Sequence, residues 1–337
     1  MRTATDRKLL SGIRILTGAK NPKGIVLFSI MRNERFFIEA FLNYYRELGV
    51  DHFLILDDGS DDGTKEILTE QYDVTVLESE FAYGEVYRRV SLPFLRMQAM
   101  RAGIRLKALL PSAMLQDQWC VYADADEYSI LPPEMHSFQQ LVSELDRLSY
   151  RVVLGVVVEF YPKTYSDLKL DVQKAKSFDE LLNIAPYFDS AKLLNVNEVG
   201  TIERLRPSAS GRLFREYGVP LGSTSGSNKH RGSATHKLPL IKPGRRVKLL
   251  SGHKASVSAS PDLALTVAHF KFTPDVLRRT NLALNTQAWS GGSHKYSKYE
   301  LLFEKMAECN GTFISSDSVR YKSGEQLVQC GNLWRNL

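Results

Sequence analysis

Residues 25–64 read IVLFSIMRNERFFIEAFLNYYRELGVDHFLILDDGSDDGT, and their order decides the fold class. The run IVLFSI (25–30) is short and apolar, which suits a buried strand. Arg32, Asn33 and Glu34 follow it directly. Residues 34–48 then place Phe37, Phe41, Tyr44 and Leu48 on one helical face, and Gly49 supplies a left-handed stop. A second apolar run, 52–56, ends in DDGSDDGT (57–64). Strand, helix and strand in this order predict a parallel pair joined by a helical crossover.

The alternation continues outward. A short helix from Thr64 and a strand at 74–77 follow. A helix is predicted over 93–110, with Pro93 in its first turn. The strand 119–123 ends in Asp124-Ala125-Asp126-Glu127; residues 137–148 are helical, and the β-branched run 152–160 is a strand. The expectation is an α/β fold, a Rossmann-like, mostly parallel sheet with helices on both faces. Beyond 165 the pattern weakens. Residues 165–260 read as loops with short elements, 262–290 hold a strand (LTVAHFKF, 265–272) and a helix, and 295–337 read as a helix and a polar tail. The expected organisation is a basic N-terminal extension (1–22), an α/β core (23–165), an irregular region (166–290) and a helical tail (291–337).

The composition is that of a globular protein, with 43% hydrophobic and 24% charged residues. No apolar run reaches the length of a membrane span, and the basic start lacks the apolar stretch of a secretory signal. Three cysteines (Cys120, Cys309, Cys330) form no CxxC pair, which fits a reducing cytoplasm. The net charge of +6 is uneven: Arg204–Lys254 carries twelve Lys/Arg against one acid, Glu216. Such a stretch calls for an anionic partner or a solvated face. It has few aromatics to stack bases, so a phosphorylated small molecule is favoured over nucleic acid. Within it, residues 222–235 (GSTSGSNKHRGSAT) are rich in Gly and Ser and read as a mobile loop that closes over a phosphate. Peripheral membrane contact through the basic N-terminus is a further expectation.

In open parallel sheets, ligands bind beyond the carboxyl ends of the strands. Two of the strands here end in acids. Asp57 can accept a hydrogen bond from a ribose hydroxyl or a base N–H, though Asp and Ser at a helix start also serve as caps. Asp124 and Asp126, two residues apart on an extended segment, project to one side. With Glu127 they offer hard oxygen ligands for Mg²⁺ or Mn²⁺; the plainer alternative is a solvated acidic turn.

Together the RNE, DDGS and DADE motifs resemble glycosyltransferases of the GT-A fold, near family 2, over residues 23–165. Tyr161-Pro162, Tyr187-Phe188-Asp189, Arg212-Leu-Phe-Arg215 and His269-Phe-Lys-Phe272 extend the likeness. The resemblance implies metal-assisted transfer of a sugar from a nucleotide-sugar, UDP-linked, to a glycan or other hydroxyl acceptor, with inversion. It implies that Arg32, Glu34, Asp57 and Asp58 hold the nucleotide. Asp124 and Asp126 would face the Mn²⁺ or Mg²⁺ and the diphosphate, with His269 as a candidate third metal ligand. Arg212, Arg215, Lys237 and His253 are candidate diphosphate partners, and Glu159 or Asp189 is the candidate base. Two other classes stay open. A nucleotidyltransferase making nucleotide-sugars would be expected to carry a Gly-rich loop where this chain has SIMRNER. A non-catalytic basic binder would leave the acidic strand ends unexplained.

Overall fold

The computed structural model describes residues 3–92, 95–220, 232–286 and 294–336. Its main sheet contains ten strands: β1 (Ile13–Thr17), β2 (Val26–Met31), β3 (His52–Asp57), β4 (Val74–Ser79), β5 (Cys120–Tyr122), β6 (Glu127–Ile130), β7 (Val152–Glu159), β8 (His236–Ile241), β9 (Leu263–His269) and β10 (Trp334–Arg335). The order across the sheet is β1-β4-β3-β2-β5-β8-β7-β9-β10, with β6 also paired to β9. Strands β4, β3, β2, β5, β7 and β9 run one way; β1, β6, β8 and β10 run the other. This is the expected α/β class, a mixed sheet whose majority is parallel.

The central strands are apolar because both faces are covered. All residues of β2 and β7 are buried. Phe37, Phe41 and Tyr45 of the Phe37–Glu47 stretch are at most 1% exposed, so that helix packs its aromatic face on the sheet. Gly49 has φ 83°, the left-handed stop expected of it. A second apolar cluster, containing Tyr161, Leu213, Phe272, Tyr299 and Phe303, seats the helix His294–Cys309.

The structure alters or fills in four of the sequence expectations. The helix read over 93–110 is instead a hairpin, Val86–Leu92 with Leu95–Arg101, followed by the helix Ala102–Met114. Residues 86–92 (VYRRVSL) hold two valines and a tyrosine, residue types favoured in strands, and Pro93 follows them directly in sequence. The segment 1–22, read as a basic N-terminal extension, contributes a helix and a strand. Residues 4–11 form a helix held by an Asp6–Arg105 ion pair (2.8 Å), and β1 forms a sheet edge. The tail returns to the sheet as β10, while Ser318–Arg320 pairs with Tyr187–Asp189. Finally, β8 is one of the short elements expected within 165–260. Its Pro239 argues against an inner strand, but the pairing with β7 shifts register between Lys237 and Leu240, and Gly155 opposite leaves room for the ring.

Candidate active site

Because they are parallel, β2, β3, β5, β7 and β9 deliver Met31, Asp57, Tyr122, Glu159 and His269 to one sheet edge. Strand β8 runs the opposite way, so its first residues, His236 and Lys237, arrive at that edge too. A cleft of about 240 Å³ opens there. Its wall includes Arg32, Glu34, Asp58, Asp124, Asp126 and His269 of the expected set, together with Glu127.

The first two motifs are laced together. Asn33 sits at φ 58°, and its Nδ2 donates to Asp61 Oδ1 (2.7 Å) while its Oδ1 accepts from Asp61 N (2.9 Å). Glu34 N donates to Thr64 Oγ1 (2.9 Å). Asp57 Oδ2 accepts from the amides of Gly59 (3.0 Å) and Ser60 (3.1 Å), closing the turn. Asp57 Oδ1 is buried with no hydrogen-bond partner among the described residues. Asp58 lines the cleft. Its Oδ1 accepts from Tyr83 N (2.7 Å), and Arg32 Nη1 lies 3.8 Å from its Oδ2. Burial pushes the Asp58 carboxyl up to about 6, outweighing the Tyr83 amide and Arg32.

The third motif carries a dense ion-pair network. Asp124 Oδ1 accepts from Lys107 Nζ (2.7 Å) and Oδ2 from Lys237 Nζ (3.0 Å); Lys237 also pairs with Glu127. Burial alone would raise the Asp124 carboxyl, but Lys107 and Lys237 hold it well below the usual range. Asp126 Oδ2 lies 2.9 Å from Arg279 Nη1 and 3.3 Å from His269 Nε2. Burial opposes these neighbours at Asp126 as well, and His269 and Arg279 prevail and keep its carboxyl low. Arg279 Nη2 pairs with Glu34, and its Nε donates to Asp275 Oδ2 (2.6 Å). Burial drives the Glu34 carboxyl up, to about 8; Arg279 opposes the rise, and Asp126 and Asp275 add to it.

These pairs bear on the expected metal. Both Asp124 oxygens and Asp126 Oδ2 already accept from protein cations or His269, so a divalent ion would have to displace them. Among the described residues, no group of three His, Cys, Asp or Glu side chains is arranged to hold an ion. The side chains as arranged do not fit one.

Other expected residues lie outside the cleft wall. Glu159 sits behind the cleft, 2% exposed. Its Oε2 accepts from Ser210 N (2.6 Å), its Oε1 accepts from Ser210 Oγ (3.0 Å), and Lys271 Nζ is 3.5 Å away. Burial would raise the Glu159 carboxyl, yet Lys271, His269 and the Ser210 amide lower it to about 2. Asp189 is taken by Arg212, through Nε (2.9 Å) and Nη2 (3.1 Å), and by Tyr161 OH. Neither Asp189 nor Arg212 lines the cleft. Arg215 is exposed on the last turn of the helix Ala209–Glu216. His253 lines a separate depression with Val196 and Leu238, its Nδ1 2.7 Å from His236 O. Of the loop 222–235, residues 222–231 lie outside the described residues, as does Trp289. Ser233 is buried, and its Oγ accepts from Lys271 Nζ (2.6 Å).

The sequence reading missed Lys107, Lys271, Arg279 and the tyrosines 83, 296 and 299, all of which line the cleft. Lys271 had a signal, since it lies two residues beyond His269. Arg279 had another: it is one helical turn beyond Asp275, which opens the helix Asp275–Thr286.

No protein family profile matches the chain, and no curated protein matches it in sequence. Solved structures do show some similarity. TarS of S. aureus is 12% identical, with a TM-score of 0.31 over 84% of this chain and 43% of its own. A putative glucose-1-phosphate thymidylyltransferase from Bacillus anthracis, in complex with a sucrose, is 8% identical, with a TM-score of 0.26 over 93% of this chain and 96% of its own. A UDP-glucose pyrophosphorylase complexed with UDP-glucose is 10% identical, with a TM-score of 0.24 over 92% and 97%. Likeness this slight carries no functional argument. This chain spans less than half of TarS. Among the described residues no helix is long and apolar enough to cross a membrane.

Proposed function

We propose that this chain transfers a sugar from a nucleotide-sugar to an acceptor hydroxyl. One observation carries the reading: acidic motifs from three strand ends converge on a single cleft that cations also line. In this reading Asp57, Asp58 and Arg32 hold the nucleoside, UDP-linked as the motif resemblance implies. The cations beside Asp124 and Asp126 hold the diphosphate. The acceptor oxygen bonds to the anomeric carbon, and the bond from that carbon to the phosphate oxygen breaks. The nucleoside diphosphate leaves with the electron pair, and the hydroxyl proton passes to a basic group or water. The site's contribution is positioning plus fixed positive charge where negative charge develops.

The test is to incubate the protein with a panel of nucleotide-sugars and assay both phosphate products. Release of nucleoside diphosphate, with the sugar on an acceptor or on water, is the expected result. Pyrophosphate release from a sugar phosphate and a nucleoside triphosphate would assign nucleotidyl transfer instead. Ligands that occupy the cleft should also raise the melting temperature.

A further inference from the structure

Arg279 stands where the acidic motifs would otherwise place a divalent ion. Its guanidinium joins three carboxylates from separate parts of the chain: Glu34 beyond β2, Asp126 beyond β5 and Asp275 on its own helix. Its central carbon lies over the Phe37 ring, 4.8 Å from the centroid. That contact and three carboxylate partners leave the group little freedom to move away. Arginine stays charged at every relevant pH, and its five N–H donors exceed the three used on these carboxylates.

The pairings agree. Both Asp124 oxygens accept from Lys107 and Lys237, and Asp126 Oδ2 accepts from Arg279, so the acids of the third motif already have cationic partners. The ion would also lie beside Arg279 and the two lysines, which would repel it.

Building on the glycosyl-transfer reading, we propose that the chain binds the diphosphate of its donor with Arg279 and the lysines 107 and 271, which line the cleft, and without a divalent metal. Asp124 and Asp126 of the DADE motif then act as counter-charges that fix Lys107 and Arg279 in place, and Glu159 does the same for Lys271. Arg279 is the central one, because it bridges the first and third motifs.

The test is calorimetric titration of the wild-type protein with UDP, GDP and dTDP, each in EDTA and again with Mn²⁺. The expected result is that at least one nucleotide binds, with affinities in the two buffers agreeing within about threefold. Binding strengthened about tenfold or more by Mn²⁺ would overturn the proposal and leave the glycosyl-transfer reading standing. No binding of any nucleotide in either buffer would remove that reading and this proposal with it. Arg279→Ala supplies a second readout, the binding of Mn²⁺ alone followed by its paramagnetic resonance. The wild type should leave Mn²⁺ free, and the variant, with Glu34, Asp126 and Asp275 released, should take it up. Uptake of Mn²⁺ by the wild type that is lost in Asp126→Asn would also overturn the proposal.

Discussion

Lys237 and Asp124 lie 113 residues apart in sequence and 3.0 Å apart at their charged ends. Lys237 is 3% exposed and also pairs with Glu127, so its removal strands two carboxylates in a low-dielectric setting. Lys237→Met should destabilise the protein by about 3 kcal/mol, within the range for breaking a buried pair. Adding Asp124→Asn should recover part of the loss, since the two changes share one interaction. Urea denaturation of the single and double variants checks both statements. Equal stability of Lys237→Met and wild type would contradict the ion-pair geometry.

Glu159 is expected to hold Lys271 rather than take a proton from substrate. Glu159→Gln should therefore keep sugar-transfer turnover within about tenfold of wild type while lowering stability. Its carboxyl is depressed from 4.5 to about 2, so its stabilising effect is complete above about pH 5 and is lost as the pH falls through 2. The gap in melting temperature between wild type and variant should be largest at pH 6–8 and shrink toward pH 2. A collapse of turnover in a variant of undiminished stability would restore Glu159 as the base.

Asp189 should behave likewise, for a different reason. It anchors Arg212, which in turn donates to the Phe313 carbonyl (2.8 Å). Asp189→Asn is expected to lower the melting temperature and to leave the KM for the nucleotide-sugar unchanged in the folded fraction, as initial-rate measurements would show.

Asp58 has the opposite sign. Its carboxyl is raised from 3.8 to about 6, so the folded state binds the proton more tightly than the unfolded chain does. Its ionisation costs nothing below about pH 4 and acts in full above 6, so its contribution to stability falls as the pH rises through that window. Asp58→Asn should raise the melting temperature at pH 7.5 and have little effect at pH 4, while weakening nucleotide binding. A stabilisation independent of pH would show that the carboxyl is not raised.

Gly103 lets Tyr83 reach the cleft wall. A β-carbon at 103 would overlap the Tyr83 ring, which also lies beneath Lys107 (Nζ 5.6 Å from the centroid). Gly103→Ala should cost about 1–3 kcal/mol by overpacking and, by shifting Tyr83, weaken nucleotide binding. Melting curves with and without nucleotide separate the two effects.

The sequence by itself determined the α/β class and the location of the cleft, because both rest on local signals. Apolar runs of strand length, an amphipathic helix closed by Gly49 and acids directly after β3 and β5 can be read from neighbouring residues. So could Arg32, Glu34, Asp58, Asp124 and Asp126 as cleft residues. Only the tertiary structure decided which partners those acids have. Lys107 lies mid-helix, Lys237 meets Asp124 and Glu127 only because β8 runs antiparallel between β5 and β7, and Arg279 comes from a helix beyond β9. Spacing shows where a carboxylate is, but not which cation packs against it, since ion pairs form between segments that only the folded sheet brings together. The same limit explains Glu159 and Asp189. Each looks like a free acid at the end of a strand, yet each is consumed by a distant partner, Lys271 and Arg212, respectively.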